Sequence, residues 1–162
     1  MNSPVLPVPV AKTDVVFGSD LEIEEFVRQF EEGRWPYEHW THRAHLALGV
    51  WALRRWAFDD AASRVRQAIR NYNQVAGDPN GYHETLTLFF MRKIQLFLDD
   101  WPRTATECEA IERLAAICGK AAMLAHYSPE RLWSVEARLR WLEPDLAPLD
   151  GREAMGFVDL NR

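Results

Sequence analysis

The fold this sequence predicts is a single-domain, all-α bundle of about six helices, and three observations predict it. Apolar residues recur at spacings of three and four along most of the chain, which is the helical period. Ser, Thr or Asp stands before the periodic stretches, and Gly or Pro follows them. No stretch alternates apolar and polar residues as a half-buried strand would, and there is no internal repeat or low-complexity segment. The 162 residues are 48% hydrophobic, enough for one substantial core without disulfides.

The expected organisation is an extended N-terminal arm over 1–18, a helical bundle over 19–149 and an irregular tail over 150–162. Ser19 with Glu22 reads as a capping box for a first helix running to about Phe30 and closed by Gly33. Leu21, Ile23, Phe26, Val27 and Phe30 fall mostly on one of its faces, opposite Glu22, Glu24, Glu25 and Glu32. Arg34 to Trp40 holds Pro36 and three aromatics and reads as a turn. Thr41 is then an N-cap for a second helix reaching about Trp56.

The third helix is expected from Asp59 to about Ala76, with Ala62, Val65, Ala68, Ile69 and Tyr72 inward and Arg64, Arg66, Gln67 and Arg70 outward. The breakers Gly77-Asp78-Pro79-Asn80-Gly81 end it. A fourth helix is expected from near Tyr82 to Trp101, before Pro102; it is the most apolar stretch and is therefore placed at the centre. Thr104 with Glu107 reads as a second capping box, opening a fifth helix that Gly119 ends or kinks. Helical signals resume at Pro129, continue past a possible cap at Ser134 to Trp141, and stop at Pro144.

Whole-chain properties narrow the function. A net charge of −5 argues against nucleic acid, because neutralising phosphates needs a surplus of Lys and Arg. Cys108 and Cys118 on one helix would stand about 15 Å apart, too far to bridge. Two unpaired thiols suit a reducing cytoplasm, and nothing suggests a thiolate metal site. The first dozen residues read as neither signal peptide nor anchor, and no segment approaches a membrane span, so a cytoplasmic location is expected. No heptad seam or apolar stripe sets an oligomeric state.

The strongest candidate site is a set of three histidines. Short connections make successive helices antiparallel, so the second and fourth helices run the same way and start at one end of the bundle. His42 and His45 then lie in the first turn of one helix and His83 in the first turn of the other. Residues 42, 45, 49, 52 and 56 share a face that looks inward, whereas Arg43, Ala47 and Arg54 share one expected to meet solvent. A helix start disfavours protonated imidazole, and the neutral ring is the form that binds a metal or accepts a proton. The spacing of His42 and His45 is not that of a zinc protease helix. By the same pole argument His126, Tyr127 and Ser128 are possible neighbours. Glu84 diverges from His83 by about 100° on a helix, which suits a catalytic base, a partner that orients an imidazole, or an ion pair with arginine.

The strings Trp40-Thr41-His42-Arg43-Ala44-His45-Leu46 and Gly81-Tyr82-His83-Glu84-Thr85-Leu86-Thr87 look like those of a bacterial family of small helical proteins without an assigned activity. Ser134-x-Glu136-Ala137-Arg138 and Glu143-Pro144-Asp145-Leu146 extend the resemblance, which spans roughly residues 25 to 149. It implies attention to His42, His45 and His83, adds Arg138 and Asp145, and supplies no activity, substrate or cofactor.

The leading expectation is a metal-dependent enzyme in which His42, His45 and His83 hold one divalent transition metal, Zn, Fe, Cu or Ni. With Zn the open site would activate water for hydrolysis, and with Fe or Cu it would favour oxidative chemistry. Glu84 is the catalytic candidate, and Arg138, Thr87 and Tyr82 are the substrate-binding candidates for an unknown small molecule. Each has a plainer alternative: an ion pair with Glu143 for Arg138, a bond to its own helix for Thr87, buried hydrogen-bonded structure for the histidines. His39 precedes the cap and is left outside the set. The competing functional expectation is a non-catalytic small-ligand or partner-binding module with a metal-free histidine and aromatic pocket, and a third is metal-free acid and base chemistry by His83 with Glu84.

Overall fold

Hydroxyl side chains set most of the helix starts in the computed structural model of this chain, which describes residues 10–149. Ser19 Oγ accepts the Glu22 N–H at 3.3 Å and opens α1, Asp20–Glu31. The reciprocal arm of the expected capping box is shifted by one residue, since the Glu22 carboxylate takes the Gly18 N–H at 2.6 Å. Gly33 ends this segment at φ 71°, and a Cβ there would also press on Val75 Cγ1, so two constraints require glycine. Thr41 caps α2, His42–Leu53, by accepting the Ala44 N–H. The remaining helices are α3 Phe58–Val75, α4 Glu84–Asp100, α5 Glu107–Ile117, α6 Pro129–Leu132 and α7 Val135–Leu139. One-turn 3-10 segments lie at Tyr37–His39 and Ala122–Ala125, and the described residues contain no strand.

Two expected features are corrected. Thr106, not Thr104, caps α5, and Glu109, not Glu107, closes its capping box. Pro102 opens a turn that the Ala105 N–H closes on its carbonyl at 3.0 Å, which carries the chain past Thr104 before helix can begin. Asp20, the first residue of α1, adds a second cap by accepting the Glu107 and Cys108 N–H groups at 3.2 and 3.0 Å. The other correction concerns the centre of the bundle, which is α2 rather than α4. It packs against α3, α4 and α5, and Ala44, Leu46, Ala47, Leu48, Gly49, Val50 and Ala52 are all buried.

The row of Arg43, Ala47 and Arg54 accordingly faces neighbouring chain instead of solvent. Ala47 is fully buried, Arg43 bonds Asp14 and Glu112, and Arg54 points at the Pro102 and Ala105 carbonyls. Small residues let α2 occupy this position. A Cβ on Gly49 would overlap Ile94 Cδ1 and touch Met91 Sδ, so the missing side chain sets how near α2 lies to α4.

Aromatic contacts fix the turn that leads into α2. Phe30 stacks on Tyr72 at 4.2 Å between centroids and meets Trp40 at 4.3 Å, and the Tyr72 hydroxyl donates to the Trp35 carbonyl at 2.7 Å. The described part of the arm is held to this cluster by buried Phe17, 5.3 Å from Phe26, and by the Thr13 N–H on the Glu38 carbonyl. The C-terminal segment is tied to α4 in turn: Thr85 Oγ1 donates to the Arg140 carbonyl and accepts the Leu142 N–H, while Tyr127 donates to the Leu142 carbonyl. Among the described residues no helix is long and apolar enough to cross a membrane.

Gly49→Val should destabilise the protein by about 1–3 kcal/mol through overpacking against α4, read as a lower denaturation midpoint. Adding Ile94→Val removes the Cδ1 in the way and should recover part of that loss. If Gly49→Val alone is as stable as the parent, the close approach of α2 to α4 is wrong.

Candidate functional site

His42, His45 and His83 all line one cavity of about 390 Å³, bounded by the turn before α2 and by α2, α3, α4 and the loop joining α3 to α4. That is within the size of small-molecule pockets, roughly 300–1,000 Å³. The wall is mostly apolar: Val65 and Ile69 come from α3, and Leu86, Phe90, Met91 and Ile94 from α4.

Backbone carbonyls determine what the first two imidazoles can do. His42 Nε2 lies 2.7 Å from the Cys118 carbonyl, and His45 Nδ1 lies 2.7 Å from the carbonyl of Thr41, one turn back. A carbonyl oxygen only accepts, so the nitrogen facing it carries the hydrogen. His42 is thereby the Nε2–H tautomer and His45 the Nδ1–H tautomer. The opposite nitrogens, His42 Nδ1 and His45 Nε2, are acceptors with no hydrogen-bond partner among the described residues. Their rings are also fixed: His45 stacks on Trp40 with centroids 3.6 Å apart, and His42 sits edge-on to Phe90 at 5.2 Å.

Burial keeps both rings neutral. Desolvation lowers the pKa of His42, against a smaller opposing effect of the Cys118 carbonyl. The same cause lowers His45 to about 4. His45 retains open surface on the concavity, and the protein packed around the ring, Trp40 above all, is what disfavours its charged form.

His83 is built differently from the expectation that put it in the first turn of its helix. It is the N-cap of α4: Nδ1 accepts the Leu86 N–H at 3.2 Å, and Nε2 donates to the Leu132 carbonyl at 2.8 Å. Both ring nitrogens of this buried residue are therefore engaged by backbone, and burial lowers its pKa. A metal ion held by all three histidines does not fit this donor arrangement, because His83 would have to release α4 or Leu132. Among the described residues no group of three or more His, Cys, Asp or Glu side chains is placed to hold a metal.

Glu84 is committed as well. Its carboxylate takes Arg66 through Nε at 3.0 and 3.1 Å and through Nη2 at 2.5 Å, and also accepts the Tyr82 hydroxyl. Burial alone would raise its pKa, but the bonds from Arg66 and Tyr82 outweigh that and hold it below the usual carboxylate range. Of the roles open to Glu84, the structure places it in the ion pair with arginine. Tyr82 lends its ring to the cavity wall, lies under the Arg70 guanidinium at 4.5 Å, and has its phenol pushed up to about 12 by burial and by Glu84. Thr87 also lines the cavity, but its hydroxyl donates to the His83 carbonyl at 3.0 Å.

The other expected residues lie elsewhere. Arg138 donates to the carbonyls of Asn80 and Tyr82 at 2.9 and 3.2 Å and so clamps the loop before α4 rather than lining the cavity. Asp145 accepts the Ser128 N–H at 2.8 Å and the Ser128 hydroxyl, holding the C-terminal segment. His126 meets the Ala147 carbonyl through Nδ1 and packs on Phe89, and Tyr127 belongs to the same second core with Met123 and Leu132. His39 rests against Trp35 outside the cavity.

Sequence reasoning missed Asn73, Lys12, Lys120 and Trp40, all of which line the cavity. Asn73 had a legible signal. It follows Val65 and Ile69 at steps of four, so it is the polar interruption of the inward stripe of α3. It is only 6% exposed, and its side-chain amide has no hydrogen-bond partner among the described residues. Its polar atoms are not among the sealed, unpaired ones, so they are reachable from the cavity by water or by a ligand. Gly77 belongs to this arrangement, because a Cβ there would overlap Asn73 Oδ1. The lysines come from two distant segments and have no sequence pattern in common. Lys12 donates to the Tyr37 carbonyl at 2.7 Å and covers the Tyr37 ring, whereas Lys120 makes no ion pair among the described residues.

A concavity of about 510 Å³ lies between α4 and the C-terminal segment, and several of its polar groups are already matched. Arg92 covers Trp141 at 3.9 Å, Trp141 donates to Glu143, and Gln95 donates to Asp99. The histidine-lined cavity is the candidate site on chemistry rather than on size. In comparisons with protein-family models, curated proteins and solved structures, no match to this chain was found.

Two outcomes test this geometry. In an NMR titration His45 should stay neutral, as the Nδ1–H tautomer, down to about pH 4. Since the unfolded ring titrates near 6.5, the unfolded chain takes up the proton first. The His45 contribution to stability is therefore full above about pH 6.5 and is lost as the pH falls towards 4. A midpoint near 6.5 in the folded protein would contradict the enclosure of His45. Separately, His83→Ala removes the α4 cap and the Leu132 anchor and should cost about 1–3 kcal/mol in chelator-treated protein, a loss that added Zn does not change.

Proposed function

We propose that this chain is a small-molecule-binding helical module, whose ligand occupies the cavity between α2, α3 and α4 and is recognised by neutral imidazoles without a metal ion. The observation that carries this reading is the pair of carbonyl-anchored rings, His42 on Cys118 and His45 on Thr41, each with its second nitrogen left as an acceptor in a residue that lines the cavity. A ligand N–H or O–H group is the natural complement of such an acceptor, and the apolar wall supplies the remaining affinity.

Binding is favoured over catalysis on two grounds. A general base works best with a pKa near the operating pH, and His45 at about 4 lies well below it. Glu84, the expected catalytic carboxylate, is held by Arg66 and Tyr82 and does not line the cavity. Acid and base chemistry by His83 with Glu84 is disfavoured for the same reason, since neither has an uncommitted atom to offer. The metal-dependent alternative would have to use His42 Nδ1 and His45 Nε2 with solvent as the other ligands.

The test is a fragment screen by ligand-observed NMR on untagged, chelator-treated protein, with shifts mapped on labelled protein. Aromatic fragments bearing an N–H group should bind with shifts confined to Trp40, His42, His45 and Phe90. Ile69→Trp, which fills the cavity, should abolish the binding while the fold survives. The proposal is overturned if no fragment perturbs these residues. It is equally overturned if the protein takes up one equivalent of Zn or another transition metal in a way that both His42→Ala and His45→Ala eliminate.

A further inference from the structure

Resting on the reading of the cavity as a ligand site, we propose that its ligand is an aromatic organic acid that also carries a hydrogen-bond donor: a flat apolar body, one N–H or O–H group, and one carboxylate. The polar groups of the cavity divide into two kinds, and each kind asks for a different part of such a molecule.

The acceptors are His42 Nδ1 and His45 Nε2, which no described residue satisfies. They require a ligand donor, and a carboxylate alone would meet two lone pairs and be repelled. The donors are the Asn73 amide, unpartnered and 6% exposed, and the ammonium groups of Lys12 and Lys120. Both lysines are exposed and Lys12 also bonds the Tyr37 carbonyl, so they supply positive charge at the edge of the site. A ligand oxygen complements all three donors, and two cations favour that oxygen charged. Asp78 is the one acid among the lining residues, and its carboxylate already accepts the Asn80 N–H at 2.9 Å. Cationic charge therefore exceeds anionic charge along the lining. Elsewhere in the lining Phe90, Ile69 and Leu86 offer only dispersion and hydrophobic contact, which suits a ring system.

A purely apolar ligand would leave the Asn73 amide and both imidazole acceptors unpaired. A sugar or other polyol would meet too much apolar wall. An organic cation would face Lys12 and Lys120. The aromatic acid with a donor is the class that leaves neither kind of polar group without a complement.

Four probes built on bicyclic aromatic rings separate the contributions: indole-3-acetate, 1-naphthaleneacetate without the N–H, 3-methylindole without the carboxylate, and 1-methylnaphthalene without either. In calorimetric titrations of the full chain at pH 7, indole-3-acetate should bind most tightly. Loss of the N–H and loss of the carboxylate should each weaken binding about tenfold. Asn73→Leu should weaken the two acids about tenfold, leave 3-methylindole within about twofold, and leave the melting temperature close to the parent value. Lys120→Ala should weaken the two acids several-fold, and that loss should vanish at high salt.

If 1-methylnaphthalene binds as well as indole-3-acetate, or if Asn73→Leu weakens all four probes alike, the ligand class is wrong while the cavity stands as a binding site. If none of the four binds, the class is again overturned, and the fragment screen with Ile69→Trp separately decides whether the cavity binds small molecules.

Discussion

With no Cβ on Gly49, α2 lies against Ile94 and Met91 of α4, and most of the architecture follows from that approach. The same two side chains line the histidine cavity, so the contact that sets the helix spacing also forms part of the cavity wall. A larger residue at this point would lift α2 from α4 and change the cavity together with the core. The rest of α2 is compatible with so central a position because Ala44, Ala47 and Ala52 are also small. Bulk is returned by neighbours, chiefly the Phe30, Tyr72 and Trp40 cluster, which braces the turn that delivers Thr41 to its capping position.

Backbone carbonyls then divide the histidines into two kinds. One bond to Cys118 or Thr41 leaves His42 and His45 with a lone pair each, whereas His83 spends both nitrogens on the start of α4 and on Leu132. The imidazole at position 83 does the work that Ser19 and Thr41 do for the earlier helices, and its reach to Leu132 adds a tie to the short α6 that a hydroxyl could not make. Arg138 completes this local frame by holding the carbonyls of Asn80 and Tyr82. The loop between α3 and α4 is thereby fixed from both sides, and with it the mouth of the cavity near Asp78 and Gly81.

Much of this fold was legible because helix periodicity and capping are local properties. The starts of α1 and α2, the breaker loop after α3, the resumption of helix at Pro129 and the cap at Ser134 all follow from adjacent residues. The misplacements arise where a distant group or a competing local motif decides. Thr104 and Thr106 both stand three residues before a glutamate, and only the turn begun by Pro102 selects the second. The apolar composition of α4 suggested a central helix, yet small residues rather than large ones mark the helix that others surround. Helix direction pointed to one end of the bundle for three histidines that line one cavity, but their chemistry depends on carbonyls 76 and 49 residues away in sequence for His42 and His83. No spacing rule contains those partners. Asn73 could have been read from the polar break in its stripe, whereas the convergence of Lys12 and Lys120 depends on tertiary placement alone.

The apolar wall that makes the cavity a good place for a flat ring makes it a poor place for an isolated cation. A proton on His45 must be accommodated beside packed protein, and that desolvation is why its pKa falls to about 4. A divalent ion at His42 Nδ1 and His45 Nε2 would meet the same penalty with twice the charge, with Lys12 and Lys120 on the same lining. Many metal sites offset this cost with carboxylate or thiolate ligands, although three imidazoles also suffice; here Glu84 is paired with Arg66, Cys118 contributes its carbonyl to His42, and His83 has both nitrogens engaged. Protonation would also reverse the hydrogen-bonding sense of the wall, since an imidazolium donates from both nitrogens. The acceptor character of the cavity thus depends on its low polarity. His45 is stacked against Trp40, so one face of its ring is covered and its free nitrogen is reached from the ring edge. A ligand donor must therefore approach close to the plane of that ring, a directional requirement that apolar packing by itself would not impose.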